Sequence, residues 1–469
     1  MAAMLGVGIY FLRKNEGTED YYVGGRNMGS GHIGLSVVAT DVGGGFSIGL
    51  GGLGFVMGIS GSWMLFTGLI GAWLAAVFLI PVVKQNKAFA HFYTLPQIFG
   101  HFYNGKVAIL AAIISAIGYT GFTSSQILAG AKLASGTIPG LDVTTALICM
   151  GVLAVIYTVM GGIKAVIYTD TIQWIILMGG LIFIGIPISY HAVGGYDVIR
   201  STLPASFFSL GNIRWQDLVN WGVTIIPIWF VGMTLYQRIF ACKDEKTAKK
   251  AWFIAGLFEW PIMAFMGVAL GLIARVAAEQ GMFVSLGVDG IAGADPETGL
   301  PMLLSKVLPV GLMGLMLSAY FSAILSTADS CLMAASGNIM SDLLQRYIPA
   351  QKSEQYFLRL SQLVTLVVGA LALLLASYMT QVLDLMLYSY AFMVSGLFVP
   401  IIAALFFGKT NATAAFSAML VGGMVTVLLT LGGWRLPLDL DANIFGISAS
   451  FITFIGISGL KTTNLKSLH

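Results

Sequence analysis

Charge is scarce in this 469-residue chain. Only 10% of its residues are Asp, Glu, Lys or Arg, and 57% are hydrophobic, whereas soluble domains carry about 25% charged residues. Mean hydropathy is +0.87. A soluble multidomain enzyme, a disordered chain and a coiled coil are excluded together. Net charge is only +3, from 24 Lys and Arg against 21 Asp and Glu, too small and too dispersed for a nucleic-acid footprint. Three cysteines, Cys149, Cys242 and Cys331, have no paired spacing and give no disulfide or metal framework. Catalytic patterns are missing too: no His lies beside a Ser nucleophile, and neither HExxH nor a P-loop occurs. The connections between apolar runs are too short for a soluble site, so the chain does not read as an enzyme. His32, His91, His101 and His191 fall at helix ends or in loops, and KDEKTAKK (Lys243–Lys250) reads as a solvated inner loop.

What the chain has is apolar runs of about 20 residues, enough to cross a bilayer core of about 30 Å. Helices are expected near 1–12, 31–57, 62–83, 106–133, 142–160, 164–188, 217–241, 251–278, 306–335, 357–377, 382–407, 412–432 and 442–460, thirteen in all. Period-two alternation is absent, which argues against a β-barrel. The first run, MAAMLGVGIYFL, is too short to span and reads as the second half of a truncated helix. A signal peptide is the rival reading, without the expected charged start or cleavage site. With the N-terminus outside, 18 of the 24 Lys and Arg fall on the inner side and 6 on the outer side. The positive-inside rule therefore predicts N-out and C-in. The acidic stretch Glu279, Asp289, Asp295, Glu297 then lies outside, with no basic residue in it.

Two runs look broken. The second holds ATDVGGGFSIGLGGLG (Ala39–Gly54), and the seventh holds Pro227 and Gly232. They head successive five-helix blocks, 31–188 and 217–407. Interrupted apolar segments at matching positions of two halves point to a transporter with inverted repeats; an odd number of spans per block gives the blocks opposite orientation. Around these blocks lie residues 1–30 (truncated peripheral helix and inner loop), 189–216 (outer connection) and 408–469 (two peripheral helices and a cytoplasmic tail). Three consecutive glycines each cost roughly 1 kcal/mol in a helix. Gly43, Gly44 and Gly45 beside Asp41 therefore read as an unwound stretch whose carbonyls can face a cation, whereas Gly49, Gly52 and Gly54 read equally as helix packing.

Intramembrane charge is expensive and marks function by default. Asp41, Asp170, Glu259 and Asp329 lie inside expected spans, and Asp384 lies near the outer end of the eleventh. In the ninth, Ser322, Ser326, Asp329 and Ser330 recur at i, i+4, i+7 and i+8, with Ala323 and Thr327 beside them. Such spacing sets them on one helix face. Hydroxyls and a carboxylate are oxygen ligands, which suit a hard cation. Serines bonding their own helix carbonyls are the competing reading.

Five segments together resemble the sodium:solute symporter family: RKNEGTEDYYVGGR before the second helix, ATDVGGG, Tyr157–Gln173, Leu235–Asp244 and Ala323–Leu343. The resemblance covers nearly the whole chain. It implies an all-α membrane protein with a LeuT-like fold, an inverted repeat of two five-helix halves plus peripheral helices. It also implies a sodium site made by the carbonyls of Ala39, Val42 and Ala323 with the hydroxyls of Ser326 and Thr327. Asp170 matches a family aspartate associated with sodium, and Asp329 and Ser330 could complete a second cation site with it. The GGG, ADS and QR segments are choline-carrier-like. Asp41 stands where that branch has a tryptophan and is proline-carrier-like. An aromatic face suits a quaternary ammonium, whereas Asp41 offers a formal charge, so an amino acid or another amine-bearing solute is expected. Solute-binding candidates are Asp41, Gly43, Gly44, Trp229, Phe230 and Tyr236, with Trp221 beside them; packing is the competing reading of the aromatics.

The expectation is thus a sodium-coupled symporter importing a small organic solute by alternating access across the plasma membrane (a bacterial inner membrane), with sodium its only cofactor or metal. Its partners are the solute, sodium and the lipid bilayer, with no nucleic acid and no obligate protein partner. The closest alternative is a proton-coupled carrier of the same fold with Asp41, Asp170 or Asp329 as relay. A transporter-like membrane sensor would need an appended domain, and a channel would need a continuous polar pore.

Overall fold

The computed structural model describes residues 26–41, 43–160, 163–348 and 354–460. The expected run 1–12 and the expected ligand Val42 lie outside these residues. Helices dominate the described chain. The second expected run is two helices, α1 (Ser30–Asp41) and α2 (Gly43–Met57). Gly43 takes a φ of +51°, which no right-handed helix accommodates and which glycine adopts without a Cβ penalty. A tight turn over Gly58–Ser62 leads into α3 (Trp63–Leu74), and a wide π turn leads on to α4 (Ile80–Gln85). A short α5 (Leu95–Phe102) precedes the longest helix, α6 (Gly105–Thr137). The side chain of Asn104 caps α6 by accepting from the amides of Lys106 and Val107, both at 3.0 Å.

Then come α7 (Val143–Met160), α8 (Ile163–Gly180), α9 (Ile186–Ala192) and the short α10 (Gly195–Thr202). The seventh expected run is again split, into α11 (Trp215–Val231) and α12 (Met233–Ala241), bent by 43°. The bend falls at Gly232, whose ψ of 113° is extended rather than helical. The eighth run is split as well, which sequence analysis did not anticipate. In it α13 (Glu245–Leu257) gives way to a π turn where Trp260 is extended, before α14 (Ala264–Glu279). A further helix, α15 (Pro296–Val307), lies in the stretch expected to be an outer loop. The chain closes with α16 (Val310–Gly337), α17 (Glu354–Ala376), α18 (Val382–Phe407), α19 (Ala412–Gly432) and α20 (Ala442–Leu460).

Among the described residues nine helical stretches are long and apolar enough to cross a bilayer, or ten with the bent pair α11–α12. That criterion does not resolve thirteen spans. Ser47–Gln85 counts once although it holds α2, α3 and α4, and the apolar stretch Val143–Ile156 is too short to count. The helix α6 packs against α7, α16, α17 and α18, while α16 also lies against α8. The broken pair is enclosed, α1 by α8 and α13, and α2 by α14 and α15. Backbones touch at the α2–α14 seam: a Cβ on Gly271 would sit 1.9 Å from the Gly51 carbonyl oxygen, and one on Gly54 2.2 Å from that of Val268. The later glycines of α2 therefore serve close packing, as membrane helices commonly use them. Large apolar side chains such as Phe183, Ile175 and Ile452 stand exposed, costly in water and favourable against lipid.

Candidate ion-binding site

Two side chains one residue apart on α16 reach across to different helices. The Thr327 hydroxyl donates to the Ala39 carbonyl at 2.9 Å and to the Ala323 carbonyl of its own helix at 3.1 Å. Three of the five expected sodium ligands therefore meet at one point, the last turn of α1 facing the middle of α16. Gly43 explains the closeness, because a Cβ there would lie 2.7 Å from the Thr327 hydroxyl oxygen. The fourth ligand, Ser326, turns the other way and hydrogen-bonds the Asp170 carboxylate of α8. The fifth, Val42, is outside the described residues.

Asp170 also accepts from Ser36 of α1 at 2.6 Å and lies 3.6 Å from the guanidinium of Arg238 on α12. Arg238 is wholly buried and distributes its donors over three helices. Its Nε donates to Ser36 at 3.1 Å, one terminal nitrogen donates to the Thr234 carbonyl at 3.1 Å, and the other bonds Thr40 and reaches Ser330 at 3.3 Å. A guanidinium offers five donors in a fixed fork, so this side chain knits α1, α8, α12 and α16 at once. Asp329 accepts from Thr158 of α7. Of the second-site residues, then, Asp170 and Ser330 share Arg238, and Asp329 is held from the α7 side.

In the sequence Arg238 stands only as one of the inner-side cations, and nothing singles out Ser36, Thr40, Thr158 or Thr234. The signal for Arg238 was its place inside an apolar run, in the LYQRIFACKD segment. The solute-binding candidates are spread out. Trp229 is fully buried, with its ring against Gly71 of α3 and 6.5 Å from Trp252 of α13. Phe230 meets Phe398 of α18 at 6.1 Å, and the Tyr236 hydroxyl donates to the Phe230 carbonyl at 3.0 Å. Beside the α11–α12 bend, the Tyr119 hydroxyl of α6 lies 3.0 Å from the Thr234 hydroxyl and accepts from the Thr234 amide at 3.1 Å. The backbone at Asp41, Gly43 and Gly44 flanks the α1–α2 break. Glu259 is buried in the π turn after α13, its carboxylate against Gly68 of α3.

An oxygen-lined point thus joins a broken helix to a hydroxyl-bearing one within an apolar bundle. The sodium:solute symporter family model matches residues 21–422. The chain belongs to the sodium:solute symporter family. It is a membrane transport protein, and its relatives are transporters rather than enzymes. The osmoregulated proline transporter of Bacillus subtilis is 29% identical over 481 residues, covering 100% of this chain and 94% of that one. The sodium/proline symporter of Escherichia coli is 26% identical, with 92% and 86% covered. The sodium/glucose cotransporter 1 of Oryctolagus cuniculus is 25% identical, with 90% and 69% covered. Among solved structures, a substrate-bound, outward-open Na+-coupled sialic acid symporter superposes with a TM-score of 0.79 at 22% identity, covering 98% of this chain and 96% of that one. Mhp1, a nucleobase-cation-symport-1 family transporter in a closed conformation, gives 0.60 at 12% identity, with 94% of each chain covered. These likenesses fix the all-helical fold.

Proposed function

We propose that the protein is a sodium-driven symporter that imports a small organic solute, an amino acid or another amine-bearing compound, by alternating access. The observation that carries this reading is the bridge from Thr327 to the carbonyls of Ala39 and Ala323. A sodium ion there takes both carbonyls and the lone pairs of the Thr327 hydroxyl, whose proton turns away. Val42 completes the set together with Ser326, whose hydroxyl must leave Asp170 to reach the ion. The ion ties α1 to α16 in an outward-open state that binds solute; rocking of one helix group exposes both to low cytoplasmic sodium. The halves that rock are 31–188 and 217–407, related as inverted repeats, with the N-terminus outside and the C-terminus in the cytoplasm at the plasma membrane. The matching breaks at Gly43 and Gly232 support that relation.

Asp170, Asp329 and Ser330 form the second cation locus. With both carboxylates ionised and Arg238 charged, its formal sum is one negative charge, which suits one further monovalent cation. Asp41, Gly43 and Gly44 at the first break, and Trp229, Phe230 and Tyr236 around the second, are the solute-binding candidates. The proline transporters among the relatives make proline the first solute to try. One charge crossing 100 mV is worth about 2.3 kcal/mol. At about 1.4 kcal/mol per decade, one sodium concentrates a neutral solute roughly 50-fold from voltage alone.

The test is uptake of radiolabelled proline, then of other amino acids and amines, into proteoliposomes under a sodium gradient and separately under a pH gradient. Accumulation driven by sodium alone is the expected result. Accumulation driven by protons alone overturns the sodium assignment and makes the protein a proton-coupled carrier of the same fold.

A further inference from the structure

The segment Lys243–Lys250 is not the loop its composition suggests. Asp244 caps α13 by accepting from the Thr247 amide at 2.7 Å, so Lys246, Lys249 and Lys250 stand on the first two turns of a helix. The Glu245 carboxylate is taken up locally, pairing with Lys249 at 2.7 Å and accepting from Gln85 at 2.9 Å. Lys246 and Lys250 are exposed and make no ion pair among the described residues. Four residues apart, they share a helix face. The same face continues through Phe253 and Leu257, which are 40% and 52% exposed. One strip of α13 thus passes from two ammonium groups without a carboxylate partner to bare apolar side chains. The opposite face, with Ala248, Ala251, Trp252 and Ala255, is buried. It packs so tightly on α1 that a Cβ on Gly34 would lie 3.0 Å from the Ala251 carbonyl oxygen.

Lys246 and Leu257 are eleven residues apart, which is about 16 Å of helix rise. That is about half of a bilayer core of about 30 Å, so the strip runs from the headgroup level of one leaflet toward the midplane. Beside it, the seam with α3 carries an aromatic pair open to the same side. Trp73, itself exposed, donates its indole N–H to the Phe253 carbonyl at 3.3 Å, and the two rings lie 5.8 Å apart at 69°. Gly256 permits this approach, since a Cβ there would lie 2.6 Å from the Trp73 indole nitrogen. Val77, four residues on from Trp73, is exposed as well.

We propose that this strip is a binding site for an anionic phospholipid of the inner leaflet, its phosphate held between Lys246 and Lys250 and one acyl chain laid along Phe253, Leu257 and Trp73. The occupant is a lipid rather than a free anion because charge and apolar surface are continuous on one helix face, and a phosphate alone would leave the apolar half bare. Assignment to the inner leaflet rests on the orientation proposed above. Lysines at the membrane surface attract anionic headgroups, and the acyl chain adds apolar burial. Because the other face of α13 packs on α1, a lipid here braces the helix behind the broken pair, and a ligand bound by the folded state raises its thermal midpoint.

The experiment takes the purified full chain in a neutral detergent, without sodium or solute. Its thermal midpoint is titrated with dioleoylphosphatidylglycerol, with dioleoylphosphatidylcholine and with inorganic phosphate. Phosphatidylglycerol is expected to raise the midpoint saturably, and the other two to leave it unchanged. Lys246→Gln/Lys250→Gln should raise the half-saturating phosphatidylglycerol concentration about 30-fold, the loss that two surface lysines carry, without lowering the midpoint in detergent alone. Phe253→Ser/Leu257→Ser keeps both lysines and should raise it about tenfold through lost apolar contact. Lys409→Gln removes an exposed inner-side lysine beyond the end of α18 and should stay within about threefold of the parent. An equal rise with phosphatidylcholine or with inorganic phosphate overturns the proposal, the latter making the ligand a free anion. Half-saturation of the double lysine variant within about threefold of the parent overturns it too, and so does an equal loss in Lys409→Gln, which would assign the effect to overall charge. No gradient and no solute enter the measurement, so failure of this site is told apart from failure of the sodium-symport reading.

Discussion

Replacing Thr327 with Ala removes the hydroxyl that spans the two halves of the proposed ion site. Its oxygen stands 2.9 Å from the Ala39 carbonyl and 3.1 Å from the Ala323 carbonyl. The variant therefore loses one of the five proposed oxygen ligands and the direct link from α16 to the Ala39 carbonyl of α1. Hydrogen bonds to charged groups are worth about 1.5–3 kcal/mol, and an ion–hydroxyl contact in a dry site belongs in that range. At about 1.4 kcal/mol per decade the sodium concentration for half-maximal uptake should rise about 10- to 100-fold. Thr327→Ser keeps the oxygen and should stay close to the parent, although it loses the methyl group that packs against Gly43. The assay is initial uptake in proteoliposomes at fixed membrane potential, titrated in sodium, with the amount of monodisperse protein as control. A shift below about threefold in Thr327→Ala, under about 0.7 kcal/mol, in protein of normal yield would refute the site.

Arg238→Met leaves Asp170 buried without its guanidinium, and breaking one side of a buried pair costs about 3–5 kcal/mol. The thermal midpoint in detergent should fall sharply, and the double variant Asp170→Asn/Arg238→Met should regain much of the loss. Gly271→Ala drives a Cβ to 1.9 Å from the Gly51 carbonyl, a backbone clash that should destabilise by at least the 1–3 kcal/mol typical of overpacking, about 2 kcal/mol as a central figure; Gly456→Ala, with nothing within 4 Å, should be neutral by the same melt. Asp244, ahead of α13, is held below the usual carboxylate range by the hydrogen bonds it accepts from Thr247. Its folded pKa is depressed, so its contribution is present above the unfolded value and lost as pH falls through the folded one. Asp244→Ala should melt below Asp244→Asn at neutral pH, and that gap should not widen between pH 6 and 8.

The sequence made the broken helices legible because a break inside an apolar run needs glycine or proline, and the chain has both at the right places. GGG after Asp41 and Pro227 with Gly232 marked two breaks that the structure bears out. The third break, at Trp260, escaped although Glu259 and Pro261 flank it, because no glycine marks the turn in an otherwise apolar run. The stripe on α16 was legible as a shared face, yet periodicity could not tell which hydroxyl points where. Ser326 and Thr327 differ by about 100° on the helix, and that angle sends one to α8 and the other to α1. Charge counting assigns Lys132 and Glu297 to the outer side and Arg238 to the inner one, but a count of sides carries no information on which charges are buried and paired. A Lys near a helix end reads the same whether it faces water or a carboxylate from a connection 165 residues later. The helix α15 was hidden for the same reason, since its polar first turn resembles a loop until Lys132 and the α18 amides are seen to bond Glu297 in it.

The placement of Ser326 beside Thr327 couples two loci that look separate in the sequence. Thr327 holds the Ala39 carbonyl of α1, and within one turn of it on the same helix Ser36 and Thr40 hold Arg238, the counter-charge of Asp170. Asp170 in turn holds Ser326. These contacts close a ring running from Thr327 through α1 to Arg238, Asp170 and Ser326, and back along one peptide bond of α16. Networks of this kind respond as a unit, because each bond polarises the next in a low-dielectric interior. An ion drawn to the Ala39 carbonyl and the Thr327 oxygen cannot reorient that hydroxyl without acting on α1, and α1 cannot tilt without changing the geometry around Arg238. On the proposed site, sodium at the first locus and charge balance at the second are parts of one equilibrium, so Asp170→Asn is expected to shift the sodium concentration for half-maximal uptake even though Asp170 does not touch the Ala39 carbonyl.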